Sequence, residues 1–120
     1  MTPRKSDPEP HRPLTPALFH VLLALADGDR HGYAILKEVE RRTAGEVRLS
    51  AGTLYGILKR LLADGLIEET GRRPAAHLDD ERRRYYRLTR SGQQTAVAEA
   101  RRLEQALTQA RRLLRRPATA

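Results

Sequence analysis

The chain has 120 residues and a formal net charge of +8, with no Cys, no Trp and a single Phe. That length allows one domain with a real core, and the missing Cys exclude a disulfide framework, a thiolate metal site and a thiol switch. No apolar run can span a bilayer and no signal-peptide pattern opens the chain, so a soluble cytoplasmic protein is expected; the basic excess suits a polyanionic partner, although many basic proteins bind nothing acidic.

Residues 1–13, MTPRKSDPEPHRP, are rich in Pro and charge and nearly devoid of apolar side chains. Such a segment cannot offset its ordering entropy by burial, so it reads as a flexible basic arm. Arg4, Lys5 and Arg12 either touch DNA, as basic arms do, or belong to a tail with no role, which is the simpler reading.

The first helix is expected over Pro16–Ala26, with Thr15 as N-cap and Pro16 at the first helical position, where a missing N–H costs nothing. Leu18, Val21, Leu22 and Leu25 form its core stripe; Leu14, Phe19 and Leu23 fall partly outside it, which points to a helix covered on two sides. After the turn signal Asp27-Gly28-Asp29, a second helix follows His31-Gly32 and runs to about Thr43. Ile35, Leu36 and Val39 give its buried face. Its N-terminus can hold a phosphate, with His31 and Tyr33 placed to help; the alternative puts Tyr33 in the core and His31 on the surface. Glu46-Val47-Arg48-Leu49 alternates like a short strand.

The stretch from Leu49 to Gly65 is the centre of the pattern. Leu54, Ile57, Leu58, Leu61 and Leu62 share one helical face, Ser50 is the N-cap, and Asp64-Gly65 is the stop. The opposite face holds Gly52, Gly56, Lys59 and Ala63, with Thr53, Tyr55 and Arg60 at its margins. It is small near its start and basic further on, a surface that can lie in a DNA major groove. Two helices in this order are a helix-turn-helix arrangement.

Leu66–Thr70 and Arg82–Thr89 read as two strands joined by a basic loop, a hairpin that becomes the wing of a winged helix. Arg72 and Arg73 flank one end and Arg82, Arg83 and Arg84 the other. The last helix is expected over Ser91–Leu114, opened by Thr89 or Ser91. Val97, Ala100, Leu103, Leu107, Ala110 and Leu114 step by three and four, a narrow seam of the kind that pairs with a second chain. At 1.5 Å per residue this helix extends roughly 35 Å, more than a small head needs.

In order along the chain, Leu14-Thr15, His31-Gly32-Tyr33-Ala34-Ile35, Leu49-Ser50-Ala51-Gly52-Thr53-Leu54-Tyr55, Leu58-Lys59-Arg60-Leu61, Asp64-Gly65-Leu66-Ile67, Arg84-Tyr85-Tyr86-Arg87-Leu88-Thr89 and Gly92 resemble the PadR family of bacterial transcriptional regulators. The likeness runs from Leu14 to about Leu114. Family members often carry Pro where Ala51 and Gly56 stand; Gly56 either loosens the helix or opens space for backbone approach. The resemblance implies a winged-helix head over 14–89, a dimerisation helix over 90–116 and a short disordered tail over 117–120. It further implies that Leu18, Phe19 and Leu22 complete the dimer joint, that the protein represses nearby genes, and that a small-molecule effector near that joint releases DNA.

The expected fold is therefore mainly α, a winged helix-turn-helix with a β-hairpin wing and a long C-terminal helix. The expected function is sequence-specific binding of an inverted-repeat operator by a homodimer. Ser50, Gly52, Thr53, Tyr55, Gly56, Lys59, Arg60, His31, Tyr33 and the five wing arginines are the candidate DNA contacts. No catalytic pattern accompanies Asp79, Asp80 and Glu81, and His11, His20, His31 and His77 are scattered, so neither an enzyme nor a metal or cofactor site is expected. The competing class is a winged helix serving only as a protein-interaction module, which exposed apolar residues on the recognition face would support. A DNA-binding winged helix of another regulator family would keep most of the mechanism.

Overall fold

The computed structural model describes residues 13–71 and 84–115. Within them the order is α1 (Pro16–Ala24), β1 (Arg30–His31), α2 (Gly32–Arg42), α3 (Ala51–Ala63), β2 (Ile67–Glu69), β3 (Tyr85–Leu88) and α4 (Arg90–Leu114). Each helix starts on a side chain that satisfies an otherwise orphan amide. Thr15, His31, Ser50 and Thr89 accept from Leu18, Ala34, Thr53 and Gly92 at 3.2, 3.2, 3.1 and 3.0 Å.

Two helices end in the same device. After α3, Gly65 (φ +73°) lets its own N–H reach Leu62 O and the Leu66 N–H reach Leu61 O, the paired bonds of a Schellman turn. After α2 the same bonds run from Ala44 to Arg41 and from Gly45 to Glu40, but the left-handed position is taken by Ala44 at φ +52°. The Thr43 hydroxyl then accepts from the Val47 N–H at 3.0 Å.

Residues 46–49, whose alternation reads as a strand, form bends and coil. The strand beside β3 is instead β1, paired antiparallel through Arg30↔Tyr86 and His31↔Tyr85, giving a sheet of order β1-β3-β2. A strand exists only where a partner completes its ladder, and the turn pinned by Thr43 leaves 46–49 without one. The first helix also stops at Ala24, two residues short of expectation: Leu25 and Ala26 bond back to Leu22 and Leu23 in a tighter turn.

The core gathers Val21 and Leu22 of α1, Ile35 and Val39 of α2, Leu54, Leu58 and Leu61 of α3, Ile67 of β2 and Tyr86 of β3. Leu18 and Leu22, implied by resemblance as part of a dimer joint, point into this core at 6% and 0% exposure. Neither is available to a partner, because the second helix and the C-terminal helix of the same chain pack on α1; α1 leaves Phe19 and Leu23 half-buried.

The start of α4 is docked very closely. A Cβ built on Gly92 would lie 1.9 Å from the Leu66 carbonyl oxygen. That carbonyl accepts from the Thr89 N–H at 3.1 Å, while the Thr89 hydroxyl donates to Gly65 O at 2.6 Å. Gly92, Ala96 and Glu99 form the buried line of α4. Glu99 is only 1% exposed and is bridged by Arg102 at 2.6 and 3.0 Å. Counted at about 100° per residue, Leu103, Leu107, Ala110 and Leu114 continue this line, while Val97 and Ala100 stand to one side.

Candidate nucleic-acid interface

The exposed face of α3 is open. Ala51, Gly52, Thr53, Tyr55, Gly56, Lys59, Arg60 and Ala63 are all exposed, opposite the buried Leu54, Leu58 and Leu61. A Cβ added at Gly52 or Gly56 would meet nothing within 4 Å, so the helix backbone itself is approachable there. Ser50 is exposed too, but its hydroxyl is engaged by Thr53, accepting from the amide and donating to the Thr53 hydroxyl at 2.9 Å.

The joint between α2 and α3 is set by small against large. The Tyr55 ring lies over Gly32, with its hydroxyl 3.1 Å from where a Gly32 Cβ would stand. Tyr33, next in the chain, is 63% exposed, so it is a surface residue and not a core one. His31 serves the fold: its Nδ1 accepts from the Ala34 amide, and its ring meets Tyr85 edge-on at 5.4 Å between centroids. That nitrogen is not available to donate to a phosphate.

Charge on this side of the head is only partly compensated. Arg60 lies 3.9 Å from Asp64 and Arg84 3.5 Å from Glu69, while Arg87 holds Glu68 at 2.8 Å. Lys59 has no carboxylate within 4.0 Å among the described residues. Arg72, Arg73, Arg82 and Arg83 lie outside the described residues, so of the wing arginines only Arg84 is placed, exposed at the start of β3. Arg48, passed over in the sequence pattern because it sits in an apparent strand, is 74% exposed two residues before the α3 cap and 3.9 Å from Glu40. A cation directly ahead of a capped helix was the available signal.

Behind α1 and α2 the charges are closed on themselves. Glu38 receives Arg41 and Arg42, and Asp27 receives Arg30 and Arg42. Hydrogen bonds from Arg41 and then Arg42 hold the Glu38 carboxyl well below its ordinary 4.5, at about 2; Arg30 foremost lowers Asp27.

A second surface lies on α4 past the head. Leu103, Leu107 and Leu114 are 40%, 49% and 81% exposed, with Leu113 at 67% beside them. Among the described residues no group of His, Asp or Glu could hold a metal ion, and no helix is long and apolar enough to cross a membrane.

Three helices, a three-stranded sheet and an open-faced third helix define a winged helix-turn-helix head carried on a long C-terminal helix. The model of the transcriptional regulator PadR-like family matches residues 21–98. The transcriptional regulator Rv3488 of Mycobacterium tuberculosis is 37% identical over 87 residues, which cover 72% of this chain and 75% of that protein. A PadR family transcription regulator from Clostridium difficile superposes with a TM-score of 0.67 at 25% identity, over 81% of this chain and 96% of that one. The fold is shared too by Bacillus subtilis PadR in complex with operator DNA (TM-score 0.59, 23% identity, 68% of this chain and 45% of that one). The chain belongs to the PadR-like family of transcriptional regulators, a family of DNA-binding regulators and not of enzymes.

Proposed function

We propose that this protein represses transcription by binding an inverted-repeat operator as a homodimer, with α3 in the major groove of each half-site. The observation that carries this reading is the α3 face: two glycines open to approach, followed by a Lys59 with no carboxylate partner among the described residues. A helix of this kind reads base edges, while cations around it take phosphates. Gly52, Thr53, Tyr55 and Gly56 meet the groove; Lys59, Arg60 and Arg48 flank it; Arg72, Arg73, Arg82, Arg83 and Arg84 act from the wing on phosphates or the minor groove. Tyr33 sits beside the backbone. Bacillus subtilis PadR, solved with operator DNA, supports the mode of binding.

The dimer rests on α4. The face that packs on the head through Gly92, Ala96 and Glu99 continues as Leu103, Leu107, Ala110 and Leu114 where the described chain offers no cover. A second copy laid along it buries that stripe and sets the two α3 helices about one DNA turn, ~34 Å, apart. A small molecule binding between the α4 helices releases DNA if it favours a spacing that misfits the operator, since a ligand shifts an equilibrium only by its differential affinity for the two states.

The test is a mobility shift on DNA from the protein's own promoter region, with nonspecific competitor, over a salt series. Lys59→Ala and Arg60→Ala each weaken binding: loss of a phosphate contact lowers the salt slope by about one unit, and loss of a base contact relaxes specificity by ~1–3 kcal/mol at one position. If both variants bind as wild type does, α3 is not the reading helix and the protein-interaction alternative takes its place.

A further inference from the structure

The described Lys and Arg side chains of the head, residues 13–89, divide sharply by partner. Arg30, Arg41, Arg42, Arg48, Arg60, Arg84 and Arg87 each have a carboxylate within 4.0 Å. Among these described residues only Lys59 and Lys37 do not. Lys59 lies on the open face of α3. Lys37 is on α2, exposed, one turn after Tyr33, with its Nζ 5.4 Å from the centroid of the Tyr33 ring.

These positions form one continuous path. Tyr55 on the α3 face rests on Gly32; Gly32 is followed by the exposed Tyr33; Lys37 stands over Tyr33. The nearby acids of α2 are turned elsewhere: Glu40, one turn on from Lys37, lies 3.9 Å from Arg48, and Glu38 is held by Arg41 and Arg42. The positive charge is therefore left beside the surface that faces DNA in the reading above. In a helix-turn-helix, the helix ahead of the recognition helix crosses the sugar–phosphate backbone. A lysine there is a point charge suited to a phosphate, not to a base edge. The ring face of Tyr33 attracts the ammonium and limits its wandering before DNA arrives.

We propose that Lys37 is a further DNA-contacting residue, binding a backbone phosphate at the border of the groove that α3 enters, with Tyr33 positioning its ammonium. The proposal rests on the reading of α3 as the DNA-binding helix. One phosphate contact contributes about −0.9 to the slope of log K against log salt. Taken relative to 1 M salt, where the counterion-release term vanishes, its loss weakens binding roughly eightfold at 0.1 M and about threefold at 0.3 M.

The experiment measures affinity by fluorescence anisotropy for a promoter-region duplex and for a random duplex of equal length, over a salt series, with the full chain. Lys37→Ala is expected to weaken both duplexes by the same factor and to reduce the slope by about one unit. Tyr33→Ala removes the ring face and is expected to weaken both duplexes by one common factor, smaller than that of Lys37→Ala, while Tyr33→Phe keeps the ring and recovers most of that loss. Arg41→Ala, an exposed cation already paired with Glu38, is expected to leave the slope unchanged. An unmoved slope in Lys37→Ala overturns the proposal, and so does a loss confined to the promoter duplex, which would mean a base contact. If Lys59→Ala loses affinity while Lys37→Ala does not, only the assignment of Lys37 fails. If Lys59→Ala and Arg60→Ala both bind as wild type does, the α3 reading fails and takes this one with it.

Discussion

Replacing Gly92 by Ala tests how α4 is fixed to the head. In a helix this exchange ordinarily gains about 1 kcal/mol, because Gly loses more backbone entropy than Ala on folding. Here the new Cβ falls 1.9 Å from the Leu66 carbonyl oxygen, 3.0 Å from its carbonyl carbon and 3.1 Å from Leu88 Cδ2. A carbon and an oxygen sit comfortably at about 3.3 Å or more, so something must move by more than 1 Å. The oxygen is backbone, tied by the Thr89 N–H, and Thr89 is itself the α4 cap. Relief therefore strains the backbone or breaks that bond. Overpacking costs about 1–3 kcal/mol and a lost hydrogen bond about 1, so the expected net destabilisation is roughly 1–3 kcal/mol. Gly56→Ala is the matched control: it is helical, and its Cβ would meet nothing within 4 Å. It should stabilise by about 0.5–1 kcal/mol. Urea unfolding at one fixed protein concentration, since a self-associating chain's midpoint depends on concentration, reads both signs. If Gly92→Ala is as stable as Gly56→Ala, the close docking of α4 on the β2 approach is wrong.

Glu38, held near pH 2 by Arg41 and Arg42, has a carboxyl pKa below its unfolded value of 4.5, so it contributes stability above pH 4.5 that disappears as pH falls towards 2. Glu38→Gln should flatten acid unfolding in that window, seen by circular dichroism at stepped pH; an unchanged acid limb would show the network is not formed in solution. Ala44→Gly relieves a left-handed residue, which costs an L-amino acid about 1–2 kcal/mol; set against the greater freedom of Gly when unfolded, a gain of up to about 1 kcal/mol is expected in the same urea assay. Leu103→Asp with Leu107→Asp strands charges in the α4 stripe, and sedimentation should show monomer with operator binding reduced far more than binding to random DNA. Sedimentation of the wild type as a monomer at micromolar concentration would remove the dimer from the mechanism.

Parts of the candidate site are legible as periodicity. The α3 face is one: Leu54, Leu58 and Leu61 define the inside, so Gly52, Gly56 and Lys59 must be outside. Periodicity is silent on partners. Lys37, Arg41 and Arg42 look alike as basic residues on the wet side of α2, yet Glu38 takes two of them and leaves the third over Tyr33. His31 appears as a polar residue ahead of a helix; only its cap to Ala34 and its edge contact with Tyr85 show that the imidazole belongs to the joint.

Helix identity and the near limits of α2, α3 and α4 were determined by the sequence itself, because caps, stop residues and apolar stripes act over three or four positions of the same chain. Thr15, Ser50 and Thr89 cap where their spacing demands, and Gly65 stops α3 by its own conformation. Tertiary structure decided what depends on residues far away in the chain. Arg30–His31 becomes a strand because Tyr85 and Tyr86, more than fifty residues later, offer it a ladder. Leu18 and Leu22 go to the core, not to a partner, because α2 and α4 pack against α1. The α4 line changes character at Glu99 for the same reason: among the described residues the head covers Gly92, Ala96 and Glu99 and reaches no further, so residues of one helical face are buried or exposed according to what packs on them.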